Sequence, residues 1–266
     1  MATIAVSMHY RAIWISDVHL GTRECEAAQL LAFLERHDCD YLYLVGDVID
    51  FWRLRRAPYW PPVHSDVVRI ILSKARAGTI VTLIPGNHDA YLRRFCDFQL
   101  GTIMVTREAV HRTADGRLLA VLHGDDFDGV MRYRGWMVWL GHLGCAALLT
   151  VNHWLNRARR RLGFGYWSLS GRLKGMVRPA VGFAAAFEAA VVREAQRRRL
   201  DGVVCGHIHW PGLHTVGPML YGNAGDWVES CSAIVEHVDG RLELLTSTST
   251  TAGAPASLAL VTVESQ

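Results

Sequence analysis

The chain has 266 residues, of which 50% are hydrophobic and 20% charged, enough to bury a sizeable core and too apolar for an unfolded chain or a collagen. Six cysteines without a CxxC pair exclude a disulfide miniprotein and a thiolate zinc site, and they point to a reducing compartment. The net charge of +3 hides an imbalance: residues 129–200 hold 13 Lys and Arg against two acids, while the remainder holds 15 basic and 23 acidic residues. A basic insert in an acidic body predicts contact with phosphates.

In chain order, the N-terminus shows no basic start followed by a long apolar run and a cleavage site, so a cytosolic chain is expected. AIWIS (12–16) predicts a strand and ECEAAQLLAFLERH (24–37) a helix from its apolar spacing. YLYLVG (41–46) is the second strand, a helix follows over 64–77, and TIVTLIPG (79–86) is the third strand. A hairpin turned at Ala114-Asp115-Gly116 leads into LLAVLHGDD (118–126). Residues 129–200 are expected to be mostly helical. VVCGHIHW (203–210), a turn at Gly217-Pro218 and strands over 231–237 and 241–246 complete an α/β pattern. Residues 247–266 open with STSTTAGAPAS, a composition that predicts a disordered tail.

From Trp136 to Leu155 twenty residues pass without Lys, Arg, Asp or Glu, the length of a membrane span. His142, Asn152 and His153 interrupt it, and a single span would put His123 and His207 on opposite sides of a bilayer. The stretch therefore reads as a hydrophobic helix or helical hairpin, flanked by Arg132, Arg134 and RARRR (157–161), that lies on an anionic membrane or clasps an acyl chain. The arginines carry no nucleic-acid recognition motif and read as solvated helix faces, so no nucleic acid is expected.

Five motifs carry the chemistry, and each follows an apolar run: Asp17-Val18-His19, Gly46-Asp47-Val48-Ile49-Asp50, Gly86-Asn87-His88-Asp89, His123-Gly124-Asp125 and Gly206-His207-Ile208-His209. Loops that leave strand ends of an α/β sheet converge on one edge, where distant residues meet. Carboxylate, imidazole and the Asn87 amide suit a pair of divalent cations, with Mn²⁺ favoured and Fe²⁺ or Zn²⁺ as alternatives. In DVH and HIH the polar residues alternate with an apolar one, so extended backbone would turn both toward one site. Two cations about 3.5–4 Å apart can share and acidify a water and hold phosphoryl oxygens for in-line attack. His88, next to a ligand, is a candidate charge stabiliser or leaving-group acid, and Asp50 and Asp89 are expected to orient neighbouring histidines or loops.

The order DxH, GDxxD, GNHD, HGD, GHxH resembles that of the calcineurin-like metallophosphoesterases. The resemblance implies a sandwich of two mixed β-sheets flanked by helices, a domain over 11–246 with the helical insertion 129–200 inside it. It implies one metal held by Asp17, His19, Asp47 and His209, and a second by Asp47, Asn87, His123 and His207, with Asp47 bridging. Motif spacing, HGDDFD (123–128) and the insertion are most similar to the UDP-2,3-diacylglucosamine hydrolase branch or a close paralogous group. In the third motif that branch has GNRD where this chain has GNHD, and WRLRRAPYWPP (52–62) looks characteristic of the paralogous group. That branch implies hydrolysis of the sugar nucleotide to lipid X and UMP, at the cytoplasmic face of the inner membrane with peripheral contact to it. It also implies headgroup contacts from a serine and a lysine among Ser168, Ser170, Arg172 and Lys174, with Asp128 a further candidate beside Asn87, His88 and His207. Two other readings stand at this point: a phosphodiesterase or pyrophosphatase for a soluble nucleotide or another lipid-linked diphosphate, and a non-catalytic interaction module, against which the complete ligand set argues.

Overall fold

The computed structural model describes residues 8–128 and 178–247. The first sheet grows from the apolar runs of the N-terminal half. β1 (Met8–Ile15), β2 (His37–Val45), β3 (Ile80–Ile84) and β5 (Ile103–Val105) run parallel in that order, with β4 (Phe98–Leu100) antiparallel at one edge. On the other side of β1, β11 (Ser232–Glu236) and β12 (Leu242–Thr246) add antiparallel, giving seven strands. The second sheet has five strands in the order β6 (Ala109–Arg112), β7 (Leu118–Val121), β8 (Gly202–Cys205), β10 (Met219–Asn223) and β9 (Gly212–Val216). In it β7, β8 and β10 are parallel and the edges antiparallel.

The period of two along each strand builds the layers. On β1, Ala12 and Trp14 face the second sheet with Tyr43, Val45, Leu119, Val121 and Val204, while Ile13 and Ile15 face α1 (Ala27–Arg36) and α3 (Pro62–Ala77). On β7 and β8 the alternate residues Ala120, Val203 and Cys205 pack under Phe187, Val191 and Ala195 of α4 (Arg178–Arg197). The result is helix, sheet, sheet, helix, the expected sandwich, with each buried large side chain contributing roughly 1.5–3 kcal/mol.

Two elements were not expected. α2 (Phe51–Arg56) is a six-residue helix capped by Asp50, whose carboxylate accepts the Arg53 N–H at 2.8 Å, and β4 and β5 form a hairpin of three-residue strands. Of the expected helical insertion, Arg178–Arg197 is a helix, while 129–177, including Ser168, Ser170, Arg172, Lys174 and the apolar stretch 136–155, lies outside the described residues. So does the tail from 248 onward. At its start the Ser247 N–H donates to Cys231 O at 2.8 Å.

Candidate metal centre

β1, β2 and β3 are parallel and end at the same edge of one sheet, and β7 and β8 end beside them in the other. The loops that follow these five ends are the five motifs. Backbone bonds stitch the first two together: Asp17 N–H donates to Gly46 O at 3.0 Å and His19 N–H to Asp47 O at 2.9 Å. The extended backbone expected at DVH and HIH is absent. Asp17 (φ 51°), His19 (55°), Asp47 (52°), His207 (71°) and His209 (51°) are all left-handed. Each such non-glycine residue costs on the order of 1 kcal/mol, and strain concentrated on functional side chains is a mark of a site. The turn, rather than the pleat, aims Asp17 and His19 together.

The donor atoms converge. His19 Nε2 and His209 Nε2 lie 3.3 Å apart, and Asp17 Oδ1 lies 3.2 Å from His209 Nε2. Asp47 Oδ2 is 3.5 Å from His123 Nε2 and 4.0 Å from His88 Nε2, while Asn87 Oδ1 is 3.3 Å from His123 Nε2. Ligand atoms about 2.1 Å from one ion stand about 3.0–3.4 Å from one another, so this spacing suits shared cations. Three groups can be drawn, Asp17 with His19 and His209, His19 with Asp47 and His88, and Asp17 with Asp47 and His123. Asp17 Oδ1 is buried and meets no hydrogen-bond donor of acceptable geometry, an orphan of the kind a cation satisfies. Close approach needs glycine at Gly86, whose Cβ would collide with Asp47 Oδ1 and come within 2.6 Å of His123 Nε2.

The electrostatics have the same sense. Burial alone would raise the carboxyls of Asp17 and Asp47, but the histidines facing them hold both below the ordinary range. Burial would lower His123, yet Asp47 and Asp17 push it up to about 10. The pocket stabilises positive charge where the donor atoms meet.

Around the donors sit the groups that aim them. Asp50 Oδ2 lies 3.3 Å from His19 Nδ1 and 2.9 Å from His88 Nδ1, and Val45 O lies 3.0 Å from His123 Nδ1. Asp89 accepts the N–H of Gly86 at 2.6 Å and of Val48 at 2.9 Å, tying the third loop to the second. The His88 ring lies against the exposed Trp52 of α2, with centroids 4.5 Å apart and the planes tilted by 34°. His207 departs from its expected place: its ring lies beside His123, but Nε2 is 2.8 Å from Asp128 Oδ1 and joins none of the three groups.

One contributor was missed in the sequence. β10 ends at this edge too, and the following Asp226 is buried with Oδ2 3.8 Å from His209 Nδ1, its Oδ1 accepting the N–H of Val228 at 2.9 Å. The signal was GNAGDW (222–227), a glycine-flanked acid after an apolar run.

This chain is similar to several known proteins. A relative from Klebsiella pneumoniae subsp. pneumoniae, named UDP-2,3-diacylglucosamine hydrolase, is 28% identical over 212 residues, 76% of this chain and 83% of its own length. A protein of the same name from Salmonella schwarzengrund is 29% identical over 214 residues, with coverage of 76% and 83%. Among solved structures, a phosphopantetheinyl hydrolase from Mycobacterium tuberculosis overlays 84% of this chain and 92% of its own at 14% identity and a TM-score of 0.41. The family model described as calcineurin-like phosphoesterase matches residues 10–211, a span that begins on β1 and ends just past His209. On that match and on the two mixed sheets, this chain belongs to the calcineurin-like phosphoesterase family and is a hydrolase of phosphoesters.

Proposed function

We propose that this hydrolase cleaves the diphosphate of UDP-2,3-diacylglucosamine to lipid X and UMP, using two Mn²⁺ ions, at the cytoplasmic face of the inner membrane. The observation that carries the dinuclear part is that Asp47 belongs to two donor groups at once, one with His19 and His88 and one with Asp17 and His123. The substrate rests on the relatives of that name. Asp17, His19, Asp47 and His209 would hold one cation, and Asp47, Asn87 and His123 the other. His207 joins the second set only when its contact with Asp128 opens.

When bound, the cations supply Lewis-acid charge to the phosphoryl oxygens and lower the pKa of water. His88 is held from two sides, its N–H donating to Asp47 Oδ1 at 2.7 Å and its Nδ1 2.9 Å from Asp50. With its side chain 26% exposed, it presents Nε2 at the mouth of the site, where a proton or positive charge serves the departing oxygen. The proposed membrane contact falls to the basic, apolar segment before Arg178 and is peripheral, because His142, Asn152 and His153 interrupt its apolar stretch and a single crossing would put His123 and His207 on opposite sides of the bilayer. Ser168, Ser170, Arg172 and Lys174 are the proposed headgroup contacts there, with Asp128 at the site itself.

The test compares UDP-2,3-diacylglucosamine, its deacylated analogue and bis-p-nitrophenyl phosphate, using metal-stripped protein reconstituted with Mn²⁺. Each buried acyl methylene is worth about 0.8 kcal/mol, so even partial acyl burial predicts a large preference in kcat/KM for the acylated substrate. Equal turnover with and without acyl chains would remove the lipid assignment and leave a soluble nucleotide as the substrate.

A further inference from the structure

Beside the metal centre a cavity of about 290 Å³ opens between the third and fourth loops and α4, touching His123 and Gly124. Three arginines line it, Arg93, Arg107 and Arg198, a pattern that invites an anion. Four carboxylates line it as well, and two of the arginines are already spent on them. Arg198 bridges to Glu194 at 2.6 Å, and Arg93 Nη2 donates to Asp125 Oδ2 at 2.6 Å. With acids in excess, the cavity is no phosphate pocket. Its pairings hold parts of the wall together.

One of those pairings bears on the site. Asn87 follows β3 of the seven-stranded sheet, and His123 follows β7 of the five-stranded sheet. The two sheets meet through an apolar core and through the buried His111–Glu236 pair, and the loops at the site edge carry further contacts of their own. His123 is anchored to Val45 O, whereas Asn87 rides on a loop that continues into the 3₁₀ helix Ala90–Phe95. Arg93 lies in that helix. Its Nη2 donates both to Pro85 O, at 3.3 Å on the near side of Gly86, and to Asp125, two residues after His123. Only 22% of the Arg93 side chain and 11% of the Asp125 side chain are exposed, so the pair is shielded and geometrically fixed. The guanidinium thus spans the two loops whose donors, Asn87 Oδ1 and His123 Nε2, face each other at 3.3 Å.

We propose that Arg93 is a positioning residue that, through Asp125, sets the spacing of Asn87 and His123 and thereby the affinity of the second cation site. The inference rests on the reading that those two residues share a cation.

The experiment titrates Mn²⁺ calorimetrically into metal-stripped wild type, Arg93→Ala, Arg93→Lys, Asp125→Asn and the Arg93→Ala/Asp125→Asn double variant, with thermal melts of the metal-free proteins. Arg93→Ala and Asp125→Asn should each weaken one of two Mn²⁺ sites by about 10–100-fold, the effect typical of groups that orient ligands. The double variant should lose no more than either single one, because one contact is broken once. Arg93→Lys should recover part of the affinity, since an ammonium keeps a charged donor for Asp125 but lacks the planar, pre-organised guanidinium whose Nη2 meets both Asp125 and Pro85. At saturating Mn²⁺ the KM for bis-p-nitrophenyl phosphate should stay within about twofold, because uniform substrate binding is untouched. Wild-type affinity at both sites in a cooperatively melting Arg93→Ala protein, or losses that add in the double variant, would overturn the proposal. Should Arg93→Ala not fold, the near-isosteric Asp125→Asn decides by the same criteria. A wild-type protein that takes up only one Mn²⁺ would instead end the dinuclear reading itself, a result legible before any variant is made.

Discussion

Among the described residues, histidine is buried against carboxylate between the sheets and at the strand edge, and the two sites could hardly be built more differently. Between the sheets, His111 lies with Nε2 2.8 Å from Glu236 Oε2 and Nδ1 3.0 Å from Tyr43 Oη. Arg11 donates to the same Glu236 oxygen at 2.7 Å, and the Ala114 N–H to the other at 2.7 Å. The side chains of His111 and Glu236 are met there, although the Trp14 Nε1 beside them has no partner, and none of these residues has a left-handed backbone. At the strand edge, Asp17 Oδ1 is orphaned, imidazole nitrogens face each other, and five site residues are left-handed. A satisfied network stabilises the fold and calls for nothing further. An unsatisfied one, held in place by the surrounding strands, stores its cost for a ligand.

That contrast predicts opposite outcomes for substitutions of similar residues. Asp47→Ala should abolish metal-dependent hydrolysis, a loss beyond the 10–100-fold typical of groups that merely orient ligands. It should lower the Tm of the metal-free protein only modestly, because the lost pairing with His123 and the lost bond from the His88 N–H are offset in part by relief of the repulsion between Asp17 and Asp47. Turnover of bis-p-nitrophenyl phosphate and a metal-free melt check both halves. Substantial activity, or a large drop in Tm, would make the strand edge a structural network like the other. His88→Ala is the next largest effect: kcat should fall about 10²-fold while calorimetric Mn²⁺ affinity stays near wild type. Loss of metal in that variant would move His88 from substrate to ligand, as its place beside His19 and Asp47 allows.

The two regions also differ in how far the sequence announces them. All five motifs follow an apolar run directly, and four of them set an acid, amide or imidazole beside a glycine, so their place at strand ends was legible, while the sandwich of mixed sheets came with the family resemblance that they carry. The left-handed turns were not, since DVH and HIH read equally as pleat. Asp226 stands as a single acid in a glycine turn, with no histidine in its own motif to mark it. Nothing set His111 apart either. A histidine in AVHR acquires meaning only from Glu236, 125 residues away, which meets it across the sheets. α2 spans under two turns, and β4 and β5 three residues each, too short for either periodicity to register.

Within the inter-sheet network, Glu236→Ala should destabilise the protein by about 3 kcal/mol, because Arg11 and His111 are left without their buried acceptor. Urea unfolding measures it, and the specific activity of the folded fraction should remain at the wild-type level. A stability change below about 1 kcal/mol would place this ion pair with ordinary surface bridges, and the distinction between the two regions would lose its structural half.

The finest test of that half is pH. Burial alone would raise the Glu236 carboxyl, but hydrogen bonds from His111, the Ala114 N–H and Arg11 hold it below its ordinary value of 4.5. A carboxyl depressed on folding contributes stability in full above its unfolded pKa, and that contribution is lost as pH falls through the folded one. The stability difference between wild type and Glu236→Gln should therefore be constant near neutrality and shrink only below about pH 4.5, where protonation makes the two side chains alike. A difference that persists at lower pH would mean that the shape of the Glu236 site, rather than its charge, holds the two sheets in register.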